Sequence, residues 1–422
     1  MKTTALILFI AMYVLMIFKP KYRPAYALVT ALVFLIVGIL PWKELLGIIN
    51  WNVLMMIAGT MIIVYFFIES QMPNLLADLL LEKSKNVMWV TIFMSLFSGI
   101  ISAFIDNVAT VLMVAPVGLA ICRKLKINPV GMILSIAVSS NLQGAATLVG
   151  DTTSIMLGDY ANMNFLNFFW MLGKPGIFFA VELGALATVP VMMWIFRKDK
   201  EPVSSNERTQ VKNYAPTVLM LLMVLALIIA SFIPNTPATI NGMICCALAV
   251  IAMLVNFIQT RNVAQTKAAL KNLDFETLGL LFGLFIVIGG LTSVGIIDDF
   301  AGWIVRYGSS NMFLLYTIVV WGSVLISAFV DNIPYVATML PVLMSVTRTL
   351  GVDPYLLFFG LLSGATLGGN ITPIGASANI AAVGLLKKEG YQVSFKEFVR
   401  IGVPYTLTAV FVGYVYLWLV WA

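Results

Sequence analysis

Fourteen apolar runs follow one another along this chain with little sequence between them. In the first half they lie near 4–18, 24–40, 51–69, 88–105, 107–122, 129–157 and 176–196. In the second they lie near 216–233, 239–258, 276–296, 311–330, 332–347, 354–386 and 401–421. Where lipid is the solvent no water can satisfy a backbone amide, so each run must close its own hydrogen bonds as an α-helix. Only 10% of the 422 residues are charged, 61% are hydrophobic, and the mean hydropathy is +0.99. A soluble domain carries about a quarter charged residues, so the predicted fold is an all-α polytopic membrane protein whose first partner is membrane lipid. At roughly 20 residues per span, the length accommodates about ten spans.

The net charge of +6 does not point to nucleic acid. The basic residues sit in short clusters between apolar runs, which is the pattern of cytoplasmic loops. Cys122, Cys245 and Cys246 fall in or beside apolar runs without metal or disulfide spacing. There is no histidine, so proton coupling would have to use carboxylates or water. Met1 to Phe18 has the length of a signal peptide, but Lys19, Lys21 and Arg23 follow it and a small-residue cleavage site does not. It reads as an uncleaved first span with its end in the cytoplasm.

An internal repeat organises the rest. Residues 101–117 read ISAFIDNVATVLMVAPV and residues 326–342 read ISAFVDNIPYVATMLPV, nine of seventeen positions being identical at an offset of 225. At the same offset Gly144, Thr147, Gly150 and Ile155 match Gly369, Thr372, Gly375 and Ile380. Trp51 and Gly59 match Phe275 and Gly283 at 224, and Phe165 and Phe168 match Phe395 and Phe398 at 230. The halves are 1–196 and 216–422, joined by a basic cytoplasmic linker at 197–215.

Each half reads as three spans, a hairpin (88–122; 311–347), a long broken helix (129–157; 354–386) and a last span. A hairpin enters and leaves on one side, so each half crosses an odd number of times and the second must be inverted. The charges agree. Twenty of the 25 Lys and Arg residues fall on the cytoplasmic side, Arg23 among them, leaving Lys2, Lys43, Lys174, Arg306 and Arg348 outside. This asymmetry predicts ten net spans with both termini outside. Inverted repeats recur in secondary transporters. The second hairpin arms are about 16 residues, roughly 24 Å at 1.5 Å per residue and short of a ~30 Å core, so the hairpins are expected to be re-entrant.

Asp106-Asn107 and Asp331-Asn332 lie at the hairpin turns. An ionised Asp near the bilayer centre costs several kcal/mol unless paired or wet. Each would cap its second arm, but Asn or Ser would cap without that cost, so a cation or proton site is the natural reason for a carboxylate at both tips. The broken helices carry Asn141, Gln143, Gly144, Thr147, Gly150, Asp151, Thr152, Thr153 and Ser154 in one half, and Gly368, Gly369, Asn370, Thr372, Pro373, Gly375, Ser377 and Asn379 in the other. Glycines of this kind also serve helix packing, but packing does not require the Asp and Asn beside them. Freed carbonyls can coordinate a cation, and the next half-helix N-terminus can hold an anion. Two pseudo-symmetric half-sites are expected, one around Asp106 and Asp151, the other around Asp331 and Asn370. A cation is expected at Asp106, Asn107 and Asp151, and at Asp331, Asn332 and Asn370. Glu182 lies within a span and is a candidate for coupling, an ion pair or a water-facing position. Asp298 and Asp299 read as external loop charges, and Trp194, Trp418 and Trp421 as an interfacial belt.

SAFIDNVATVLMVAPV (102–117), SAFVDNIPYVATMLPV (327–342), NLQGAATLVGD (141–151) and GATLGGNITPIGASANI (364–380) resemble the ion transporter superfamily. Within it they resemble the ArsB/NhaD-type permease branch, with NhaD-type sodium/proton antiporters and the P protein. The resemblance implies a homodimer in the inner or plasma membrane of a prokaryote, a scaffold and a mobile transport domain, and elevator-type alternating access. It implies binding of sodium and substrate at Asp106, Asn107, Thr147, Gly150, Asp151, Asp331, Asn332, Asn370, Thr372, Gly375 and Asn379. The P-protein-like pattern Gly-Asp-Pro-Pro-Asn is replaced here by Gly150-Asp151-Thr152-Thr153-Ser154.

The function expected is cation-coupled secondary transport, with sodium/proton antiport in front. Behind it stand a sodium- or proton-coupled permease for a small carboxylate and an arsenite or oxyanion exporter. No cofactor is needed beyond Na⁺ or H⁺ as coupling ion. An intramembrane aspartyl protease would need Tyr before its first Asp and Gly-x-Gly-Asp at its second; Ile105 precedes Asp106, and Asp151 follows Leu148-Val149-Gly150. A non-enzyme is therefore expected. In a background lacking the three cysteines, single cysteines at Lys124 and Arg348 should react with an impermeant thiol reagent from opposite sides of the membrane. Labelling of both from one side would overturn the inversion.

Overall fold

The structure, a computed structural model, describes residues 1–203, 208–308 and 311–422. The first half contains α1 (Lys2–Phe18), α2 (Arg23–Val37), the short α3 (Leu45–Ile48), α4 (Trp51–Glu69), α5 (Met72–Glu82), α6 (Val87–Ser102), α7 (Asn107–Leu125), α8 (Val130–Gly144), α9 (Thr152–Tyr160) and α10 (Ile177–Ile195). The second contains α11 (Ala215–Ala230), α12 (Ile240–Thr260), α13 (Val263–Lys271), α14 (Phe275–Ser293), α15 (Ile296–Gly308), α16 (Met312–Ser327), α17 (Asn332–Leu350), α18 (Tyr355–Gly368), α19 (Ser377–Lys388) and α20 (Phe395–Trp421). Only a two-residue hairpin, β1 (Trp170–Met171) with β2 (Lys174–Pro175), interrupts the helices among the described residues.

Eight helices among the described residues are long and apolar enough to cross a membrane. They include α7 and α17, the second hairpin arms, each 19 residues and not the expected 16. At 1.5 Å per residue each is about 28 Å long, so arm length is no argument for re-entrance. The arms run past the apolar runs that end at 122 and 347 because Arg123-Lys124 and Arg348 sit in a final helical turn, where positive charge is favoured. Lys126 and Gly351, both left-handed, then end them.

Two crossings set the frame, α4 on α12 and α14 on α2. Both depend on a glycine. A Cβ on Gly59 would lie 2.5 Å from the backbone carbon of Cys245, and one on Gly283 would lie 2.7 Å from that of Ala27. Helix α6 packs on α8, α16 on α18, and α10 on α20. Lipid-facing positions are large and apolar, as at Leu221, Ile258 and Leu419.

Three expectations need correction. Asp298 and Asp299 are not in a loop; they open α15, exposed, where Asp298 accepts from Ser345 (2.7 Å) and Asp299 pairs with Lys2 (2.5 Å). Acid in a first turn is favoured by the helix dipole. Trp421 is no belt residue: it is buried, stacks edge-on against Phe359 at 5.0 Å and donates to the Pro175 carbonyl. Trp418 packs against Phe313 and Tyr316, whereas Trp194 is exposed. Arg23 is not a free surface charge but a buried one. The linker is tied down where described: Arg208 forks onto Glu82 (2.7 and 2.9 Å), and Thr209 donates to Asp78. The Glu201 and Asp199 carbonyls cap the start of α6.

Gly59→Val should push α4 and α12 apart and cost about 1–3 kcal/mol as overpacking. Thermal unfolding in detergent should fall by several degrees, while Gly322→Ala, with open space at its Cβ position, stays at wild type. Equal melting of the two variants would count against the close crossing.

A polar centre between two broken helices

Helix α8 ends at Gly144 and α9 begins at Thr152; α18 ends at Gly368, a short 3₁₀ turn covers Gly369–Ile371, and α19 begins at Ser377. Glycine and short polar side chains compete poorly for helix, so both chains unwind there. Each break docks onto the turn of its own hairpin. A Cβ on Gly150 would sit 2.5 to 2.7 Å from the carbonyl oxygens of Gly144, Ser102 and Ala103. A Cβ on Gly375 would sit 2.6 to 2.8 Å from those of Gly369, Ala328 and Ser327. Thr147 donates to the Ala103 carbonyl, and Thr372 to that of Ala328. Ser154 reaches back to the Gly144 carbonyl at 3.4 Å. These loops are buried apart from Ile371, Pro373 and Ile374 of the second break, as backbone at that depth must be.

The centre of the site is an amide network. Asn141, fully buried, accepts from Asn107 (2.8 Å) and donates to both Asn370 (2.7 Å) and Asn379 (2.9 Å). Asn370 donates to the Val138 carbonyl, and Asn379 to those of Gly369 and Thr372. On the other side Asp151 accepts from Thr153 (2.8 Å) and from Asn332 (3.4 Å), and Thr153 meets Thr366 at 3.1 Å. The expectation of two separate half-sites is thus modified. Asn332 of the second tip reaches Asp151 of the first break, and Asn141 binds the second break, so the halves share one polar centre. Thr152 is buried beside it with no side-chain hydrogen bond among those described.

Both aspartates at the tips cap their second arms. Asp106 accepts from the Val108 and Ala109 amides through Oδ1, and Asp331 accepts from the Ile333 amide. Their surroundings then diverge. Oδ2 of Asp331 takes Arg23 at 2.5 Å and Ser377 at 2.9 Å, with Arg23 10% and Asp331 2% exposed. Oδ2 of Asp106 has no partner among the described residues. It faces a cavity of about 410 Å³ whose lining includes Glu69, Asn272 and Asp274 and no Lys or Arg. A second cavity, about 540 Å³, is lined by Lys21, Arg23, Thr277, Asp331 and Ser377; the two meet at Val108 and Asp274.

Arg23 is the functional residue that the sequence reading missed. It stands in a Lys19-Lys21-Arg23 cluster that looks like any cytoplasmic anchor. The available signal was Pro24 after it, which places Arg23 in the first turn of a helix, and the unpartnered Asp331 demanding a cation. Tyr13, also missed, donates to the Pro334 carbonyl at 2.6 Å and meets Thr338 at 2.6 Å. Glu182 is half-buried on α10 near Tyr405, without a hydrogen bond or ion pair among those described. No group of three or more Asp, Glu or Cys that could hold a metal occurs among the described residues. The site's oxygens come from the carboxylates of Asp106, Asp151 and Asp331 and from amides, hydroxyls and carbonyls, a donor set suited to a hard cation.

Comparison with known proteins places this architecture. Solved transporters share the fold: YdaH of Alcanivorax borkumensis (15% identity, TM-score 0.62, covering 89% of this chain and 87% of that one) and MtrF of Neisseria gonorrhoeae (14%, 0.55, 93% and 84%). An uncharacterized transporter of Mycobacterium tuberculosis is 28% identical over 431 residues, 99% of this chain and 98% of the relative. A 46 kDa membrane protein of Mycobacterium leprae is 30% identical over 381 residues, 88% and 86%. The P protein of Mus musculus is 26% identical over 98% of this chain, which spans 60% of that longer protein. A family profile described as citrate transporter matches residues 13–266 and 243–422. The chain therefore belongs to the citrate transporter family, within the ion transporter superfamily, and is a secondary membrane transporter.

Proposed function

We propose that this transporter moves a small carboxylate, with citrate as the first candidate, across the membrane by alternating access, driven by a monovalent cation. The observation that carries this reading is the pair of adjoining cavities at the hairpin tips. The acidic one offers Asp106 with a free oxygen and no counter-charge, a place for Na⁺ or H⁺. The other offers an anion Lys21, the Thr277 and Ser377 hydroxyls and the positive end of α19, with Asp274 and Glu276 also in its lining and Arg23 committed to Asp331, and its volume is in the range of small-molecule sites. The family description supports a carboxylate over other anions.

Both cavities border segments that the charge rule puts in the cytoplasm, Pro20–Lys21 and Asn272–Asp274, so this conformation is inward-open. Hairpins and breaks move as one body, since the Asn141 network and the docked glycines join them. The α2–α14 and α4–α12 crossings form the scaffold of an inverted-repeat elevator, in the dimer that the resemblance implies. Sodium/proton antiport is the second reading, favoured by Asp106 itself, since a carboxylate with one open oxygen can load a proton and a cation in turn.

Purified transporter in liposomes should accumulate labelled citrate when an inward Na⁺ or proton gradient is imposed, and Asp106→Asn should reduce uptake to background while inserting normally. Sodium-driven collapse of a pH gradient without citrate uptake would select antiport. Neither activity, with intact wild-type protein, would sink both readings.

A further inference from the structure

The two hairpin tips carry the same Asp-Asn pair and the same break docking, yet their carboxylates are not equivalent. Asp331 is saturated: Oδ1 takes the Ile333 amide, and Oδ2 takes Arg23 and Ser377. The guanidinium comes from α2, which crosses α14 on the scaffold side, whereas Asp331 belongs to the hairpin that packs on α18 and α9. At the position equivalent to Asp331 in the first half, Asp106 has only backbone amides on one oxygen, with Asp274 and Glu69 across the cavity. Helix α12, which crosses α4 as α2 crosses α14, begins Ile240-Asn241-Gly242 and brings no cation.

We infer that Arg23 is a tethered cation that occupies the second cation position, so that one exchangeable monovalent cation binds per chain, at Asp106. This rests on the cation-coupled reading above and sharpens its stoichiometry. A buried carboxylate is costly unless hydrogen bonds or a positive charge offset it; Asp151 has the Thr153 hydroxyl and the Asn332 amide, and Asp331 has a positive charge. A guanidinium at 2.5 Å supplies it permanently, with the planar fork that a lysine lacks. A free cation at Asp331 would have to displace Arg23 into the cavity it shares with Lys21, against the repulsion of that ammonium.

The test is equilibrium binding of ²²Na⁺ to the purified full-length transporter in detergent. Wild type should bind one Na⁺ per chain and Asp106→Asn none. Arg23→Gln should uncover a second site that Arg23→Lys does not. Arg23→Gln/Asp331→Asn, with both charges removed, should return to one, and serves even where Arg23→Gln alone folds poorly. Two sites in wild type, or loss of Na⁺ binding in the double variant, would overturn the inference. Absence of Na⁺ binding by wild type that still takes up citrate on a proton gradient would overturn the sodium count and leave the transport reading intact.

Discussion

An amide in the middle of a bilayer has no solvent to fall back on, and Asn141 is where this structure meets that constraint. Its two N–H groups and its carbonyl are all used, on Asn370, Asn379 and Asn107. Leaving a buried donor or acceptor unmade costs about 1–3 kcal/mol, and more groups depend on this side chain than its own atoms. Asn370 and Asn379 in turn hold the free carbonyls of Val138, Gly369 and Thr372. Without the bridge the second break would present unsatisfied backbone at a depth where only protein can satisfy it.

The remaining freed groups are handled by contact rather than by side chains. Gly150 and Gly375 let their loops lie directly on the hairpin turns, where three carbonyl oxygens converge within van der Waals reach of each glycine. Thr147 and Thr372 then pin the same turns. A hairpin tip and a helix break that share this many backbone contacts cannot move separately. In the elevator proposed above, the sliding surfaces would be those between this body and α1, α2, α4 and α14. There the described polar links are few: Arg23 to Asp331, Tyr13 to Pro334 and Thr338, and Asn50 and Asn52 to Asp159.

Much of this was legible in the residues. Apolar runs located the helices because lipid leaves backbone no alternative, and the Gly150 and Gly375 match foretold two docked breaks because only glycine fits where carbonyls crowd. What the residues did not show has physical causes. Helices α5, α13 and α15 carry mixed polar sequences without a spanning run, so hydropathy passes over them. The partners of Asn141 lie 229 and 238 residues away, and a single sequence does not say which amides face each other. Arg23 was masked by its neighbours, because a cation that anchors a span and one that enters a site have the same local context. Counting it among the charges that anchor a span left its burial unseen.

That one residue changes what the repeat means. Duplication gives two carboxylates, and symmetry alone would give two identical cation positions. A buried Arg–Asp pair is poor evidence of stabilisation, since desolvation offsets most of the attraction; apolar residues would fill the same volume at no greater cost. Its consequence is instead electrostatic. With Arg23 in place Asp331 is compensated and Asp106 is not, so of the two tips only Asp106 is left open to an exchangeable ion. Burying an uncompensated Asp106 carboxylate in hydrocarbon costs several kcal/mol, whereas a proton or Na⁺ there removes the penalty. The proposed coupling therefore rests on the energy of one tip carboxylate rather than on cooperation between two.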